Sequence, residues 1–103
     1  MPALRLSIMV PEPGQRAEVE RLLDRLEGLL AKHPGYVMGG RFMAADSANE
    51  VGRLGVWRSH ADADHAATDD DVIAVRSQIH QLIGPGHLER LYDTVGDSAL
   101  SKV

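Results

Sequence analysis

The chain has no cysteine among its 103 residues, which removes disulfides, zinc–thiolate centres, iron–sulfur clusters and thiol catalysis together. Aromatic side chains are few: one tryptophan, one phenylalanine and two tyrosines. Positive charge is also short, with 11 lysines and arginines against 15 acidic residues and a formal net charge of −4. A broad attraction to nucleic acid or to an anionic membrane is therefore not expected. No apolar run approaches the roughly 20 residues that span a bilayer. The opening "MPALRLSIMV" is patterned as a strand and not as a signal peptide, so a cytoplasmic location is the expectation. What remains is an ordinary globular composition, 44% hydrophobic and 25% charged. It predicts one domain over residues 1–96, followed by a mobile tail at 97–103.

The pattern along the chain alternates strand and helix. Leu4, Leu6, Ile8 and Val10 fall on one face of a first strand, with Arg5, Ser7 and Met9 on the other. After "PEPG", Val19, Leu22, Leu23, Leu26, Leu29 and Leu30 take the three-and-four spacing of an amphipathic helix, which "HPG" at 33–35 ends. A second strand reads over 36–44, with a bulge or a close backbone approach at Gly39 and Gly40. A polar turn at 45–49 leads into a third strand over 50–58 and so to an antiparallel hairpin. A short helix over 61–67 and a longer one over 70–83 follow, the latter with Val72, Ile73, Arg76, Ile79, His80 and Ile83 in one stripe. After "GPG", a fourth strand occupies 87–95. The order is β-α-β-β-α-β, an α+β fold of the ferredoxin-like kind with an antiparallel sheet. Helices would cover one sheet face, here taken as the one carrying Leu54 and Val56. The other would expose Met9, Trp57 and further apolar residues. So large an apolar patch calls for a cover, and a second copy related by two-fold symmetry is the simplest.

The segment "VWRSHADADHAATDDDV", 56–72, concentrates the chemistry. His60, Asp62, Asp64 and His65 look like metal ligands, but on a helix adjacent Asp64 and His65 diverge by about 100°. No face gathers three of them, and no metal or other cofactor is expected. "TDDD" reads as a helix start, with Thr68 or Asp69 as the cap. Trp57 is either a packing residue or a pocket wall for an aromatic ligand. His65 is the candidate base, since an imidazole suits proton transfer at neutral pH. Arg53 is the candidate stabiliser of an anion. Arg5 and Ser7 share the side of Trp57 and Arg53 by alternation, and Arg76 and Tyr92 complete the candidate ligand-binding set. The competing readings are ion pairs to Glu50, Glu89 or Asp93 for the arginines, and packing for Tyr92 and His80. No phosphate loop, nucleophile elbow or Ser-His-Asp order is present.

Three motifs carry a resemblance: "PEPGQRAEVERLL" after the first strand, "HPGY" opening the second, and "GVWRSHADADHAATDDDVIAVRSQI" from the third strand into the helices. In this order and spacing the chain resembles the antibiotic biosynthesis monooxygenase-like domains of the dimeric α+β barrel superfamily, over about 4–95. The resemblance implies a homodimer with two sheets face to face and a pocket between each sheet and its helices. It also implies a small aromatic, phenol- or quinol-like ligand, and cofactor-independent monooxygenase activity. The alternatives it leaves are a non-catalytic ligand-binding dimer and haem binding or degradation. Trp57 matches a tryptophan shared by both enzyme types. Arg53 stands where the oxygenases have asparagine. For the haem-degrading pattern, Ser7 replaces a first-strand asparagine and His65 lies eight residues beyond the tryptophan, where about ten are expected.

Overall fold

The computed structural model describes residues 1–46 and 49–103. Its elements are β1 (Ala3–Met9), α1 (Arg16–Leu30), β2 (Tyr36–Met43), β3 (Val51–Trp57), α2 (His60–Ala67), α3 (Asp70–His80), β4 (Leu88–Asp93) and a 3₁₀ turn at Ala99–Lys102. The four strands form one antiparallel sheet in the order β2-β3-β1-β4, with β1 and β3 at the centre. Part of the turn expected at 45–49 lies outside the described residues. The 3₁₀ turn falls within the tail expected at 97–103.

α1 buries Val19, Leu22, Leu23, Leu26 and Leu30, as its periodicity requires. It ends where the chain turns through Gly35 at φ +86°. A Cβ there would lie 2.2 Å from the Asp62 carboxylate, so both conformation and space demand glycine. Asp69 caps α3, its side chain accepting from the backbone N–H of Asp71 and Val72. The same carboxylate lies 2.8 Å from His33 Nε2. That bond, then the backbone bond from Asp71, holds its pKa below the ordinary value. Thr68 is not the N-cap of α3 but the C-cap of α2, its hydroxyl donating to the His65 carbonyl. α3 buries Val72, Val75 and Ile79, while Ile73 and His80, both placed in the stripe by the sequence, are exposed.

The register corrects the sequence reading at its most consequential point. The helix-covered face of β1 carries Ala3, Ser7 and Met9, all buried, and half-buried Arg5. Cross-strand pairing puts Arg53 opposite Ser7, Gly55 opposite Arg5 and Trp57 opposite Ala3 on that same face. Leu4, Leu6 and Ile8, with Leu54 and Val56 opposite, form the face turned away from the helices, uncovered except that Val56 is already buried. Met38, Phe42 and Tyr92 join them there by register. Met9 and Trp57 are therefore core residues, and Leu54 and Val56 are not helix-facing. Period-two alternation states which residues share a face; it does not state which face the helices cover. The uncovered face is nonetheless apolar, as the sequence implies, with the other half of each strand supplying it.

One irregularity is also displaced. The register shift falls between Tyr36 and Met38, not at the glycine pair. Gly39 and its partner Gly55 serve close approach instead. A Cβ at Gly39 would sit 2.6 Å from Glu27 Oε1, and one at Gly55 would sit 3.2 Å from Arg53 Nη2.

Candidate functional site

A cavity opens between the sheet and the helices. Its polar lining is Arg5, Ser7, Arg53, Arg76 and Glu89. Its apolar lining is Leu26 and Leu30 of α1, Trp57, and the small or branched residues Ala63, Ala67 and Val72. Counting the mouth, the open space is about 360 Å³. A second recess of about 290 Å³ shares Ser7, Leu26, Arg53, Arg76 and Glu89 and extends to His80 and His87. The enclosed part of each is narrow, on the order of one or two water molecules. A ring-sized ligand must therefore displace the flexible side chains at the rim.

Trp57 closes β3 and is 1% exposed. Tyr36, its partner across the hairpin, meets it edge-on at 5.6 Å between ring centres and 87° between planes, a favourable aromatic arrangement. From that pair a polar chain runs inward. The Tyr36 hydroxyl donates to Glu27 Oε2, and Arg53 Nη2 donates to Glu27 Oε1 at 2.5 Å. Burial, and then the Glu27 carboxylate, push the Tyr36 phenol up to about 12. Glu27 belongs to a stripe of acids on α1: Glu20 and Asp24 bind Arg41 of β2 at 2.9 and 2.8 Å.

Arg53 is the least satisfied group in the site. Its side chain is 3% exposed, and its Nε is buried with no hydrogen-bond partner among the described residues. A buried donor left unpaired costs about 1–3 kcal/mol. Arg76 Nη2 donates to Glu89 Oε2 at 2.5 Å. Arg5 reaches only the exposed Asp64, at 3.4 Å. Burial, and then the neighbouring charge of Arg76, lower the pKa of Arg5. Three guanidiniums thus share one cavity in a chain of net negative charge.

Five sequence candidates, Arg5, Ser7, Arg53, Trp57 and Arg76, come together in this cavity, on the helix side and not on the opposite face where alternation had set Trp57. Two do not join them. Tyr92, expected to touch ligand, is 43% exposed on the uncovered face, because it pairs with Leu4. His65, expected as the base, is exposed on α2 with its ring edge-on to His33 at 6.2 Å. The helix buries Ala63 and Ala66 and so turns His65 away from the lining. Arg53 takes Glu27 as its partner and not Glu50, Glu89 or Asp93.

Sequence reasoning missed Glu27, Tyr36 and the His87 imidazole, and it named Glu89 only as an ion-pair partner and His80 only as a packing residue. The available signal was weak. Glu20, Asp24 and Glu27 share a helix stripe by their four-and-three spacing, and Glu89 pairs with Ser7 only once the register is known. In the suspected metal segment, His60 pairs with Asp93 at 2.6 Å and Asp64 with Arg5. Among the described residues, one other group, His80, His87 and Glu89, has ligand atoms within 4.8 Å of one another. Arg76 already holds Glu89, and the guanidiniums of Arg53 and Arg76 line the same recess, so Coulomb repulsion disfavours a dication there.

No protein-family model matches the chain, and no curated protein matches it in sequence. Solved structures do match in fold. SnoaB, a cofactor-independent oxygenase from Streptomyces nogalater, is 18% identical with a TM-score of 0.79, covering 95% of this chain and 96% of that one. Rv0793 from Mycobacterium tuberculosis is 17% identical with a TM-score of 0.86, covering 96% and 100%. A structure described as antibiotic biosynthesis monooxygenase is 14% identical with a TM-score of 0.80, covering 91% and 99%. The chain has the antibiotic biosynthesis monooxygenase-like fold.

Proposed function

We propose that this protein is a homodimer whose sheet–helix cavity binds a small phenol- or quinol-like aromatic molecule and oxygenates it without a cofactor. The observation that carries the reading is the combination in one cavity of the Trp57 indole with the guanidiniums of Arg5, Arg53 and Arg76. An indole wall suits an aromatic ring, and fixed positive charge stabilises the anion formed when a phenol loses its proton. That anion is electron-rich enough to give an electron to oxygen. For a ligand whose phenol form tautomerises to a ketone, as an anthrol does to an anthrone, the ring CH₂ becomes a carbonyl: its two hydrogens leave as water with one atom of O₂, and the other atom stays as the new carbonyl oxygen. The fold shared with SnoaB supports the oxygenase class.

The proton acceptor in this reading is His80. Its ring lines the second recess, and its Nε2 lies 3.8 Å from Glu89 Oε1, close enough for a modest side-chain shift to orient it. His65 has no such position. Oxygen consumption with a panel of hydroquinones and anthrones tests the activity. Turnover should fall sharply in His80→Ala and remain in His65→Ala. Trp57→Phe should weaken ligand binding by about 1 kcal/mol, roughly fivefold. No uptake with any member of the panel, alongside measurable ligand binding, would reduce the protein to a binding module.

A further inference from the structure

We infer that the ligand is an aromatic carboxylate, its carboxyl group held among Arg5, Arg53 and Arg76. This rests on the proposed aromatic ligand and adds the group by which the cavity recognises it. The cavity holds donors without a matching acceptor. Glu89 is engaged by Arg76, Glu27 satisfies only one nitrogen of Arg53 and lines neither recess, and Asp64 is exposed and 3.4 Å from Arg5. Arg53 Nε, on a side chain 97% buried by its 3% exposure, has no partner at all among the described residues.

A neutral phenol offers one oxygen to these groups. A carboxylate offers two oxygens and about four lone-pair sites, and its planar fork matches guanidinium geometry. Ser7, between Arg53 and Glu89 in the register, adds a hydroxyl donor. The apolar lining of Leu26, Leu30 and Trp57 leaves the ring of the same ligand a place beside the cationic one. Lysine would not replace these arginines equivalently, because a point charge does not reproduce the fork.

Calorimetric titration of the full chain with para-hydroxybenzoate and hydroxynaphthoate, each against its primary amide, tests the inference. The acids should bind at least about tenfold more tightly than the amides, the scale of one charge-assisted hydrogen bond. Arg5→Gln, at a partly buried position, should remove most of that preference while leaving the fold, followed by circular dichroism, unchanged. Arg5→Lys should restore it in part. Acids and amides binding alike would overturn the carboxylate inference and leave the aromatic reading standing. Failure of both acids and amides to bind would overturn the two together. An acid preference untouched by Arg5→Gln and by Arg76→Gln would also overturn it, since the charge would then lie elsewhere.

Discussion

At the scale of single residues, buried Arg53 and half-buried Tyr36 show how polar groups are accommodated at the edge of the core. Arg53 is held beneath two glycines that leave it room, and Glu27 joins it to Tyr36. The Tyr36 phenol, raised to about 12, gives a pH signature. Its folded pKa lies above the ordinary value of 10.0, so the proton is held more tightly in the native state. The resulting stability is complete below the unfolded pKa and is lost as pH rises from about 10 through about 12. An alkaline absorbance titration should show Tyr36 forming tyrosinate only as pH nears about 12. Tyr36→Phe should remove that step and flatten the alkaline fall in melting temperature. An unchanged titration in Tyr36→Phe would assign the step elsewhere.

At the scale of elements, the segment after β3 is a tight succession of caps. Ser59 accepts the backbone N–H of Asp62 and starts α2; Asp69 starts α3. With only eight residues, α2 depends on its cap and on Ala63 and Ala66 more than on intrinsic propensity. Ser59→Ala should cost about 1 kcal/mol by denaturant unfolding, while Ser59→Asp should cost much less. Because Ala63 and Ala67 line the cavity, the Ser59→Ala variant should also loosen ligand binding. Stability within about 0.3 kcal/mol of the parent would mean that packing alone defines this helix start.

At the scale of the molecule, the dimer proposal rests on the sheet face turned away from the helices. Leu4, Leu6, Ile8, Leu54, Val56, Met38, Phe42 and Tyr92 share it. Phe42 and Tyr92 are 38% and 43% exposed in the single chain. A pairing of two such faces should bury more than about 1,200 Å² in total. Light scattering at micromolar concentration should therefore give twice the 11.2 kDa of one chain. Leu54→Asp, at the centre of the face opposite Leu6, should yield monomers of lower stability. A parent protein monomeric under these conditions would end the dimer proposal. No helix among the described residues is long and apolar enough to cross a membrane.

The sequence by itself determined the elements, their order and the grouping of residues into faces. Val19 through Leu30 announced α1, and Arg5, Ser7, Arg53 and Trp57 were placed together by alternation alone. Local physics is enough for these, because helix and strand periods act over a few residues. Which face the helices cover was decided only by the tertiary structure. Both halves of β1 could be buried: Leu4, Leu6 and Ile8 against another sheet, or Ala3, Ser7 and Met9 beneath helices that bring their own leucines and valines. Hydrophobicity alone assigns the apolar half to the helices. The fold gives them the small and polar half, and so creates a cavity lined with charge. The partnership of Arg53 with Glu27, 26 positions away, and the exposure of His65 follow from the same choice. Each depends on how helices lie across the sheet, a long-range packing outcome that no local period encodes.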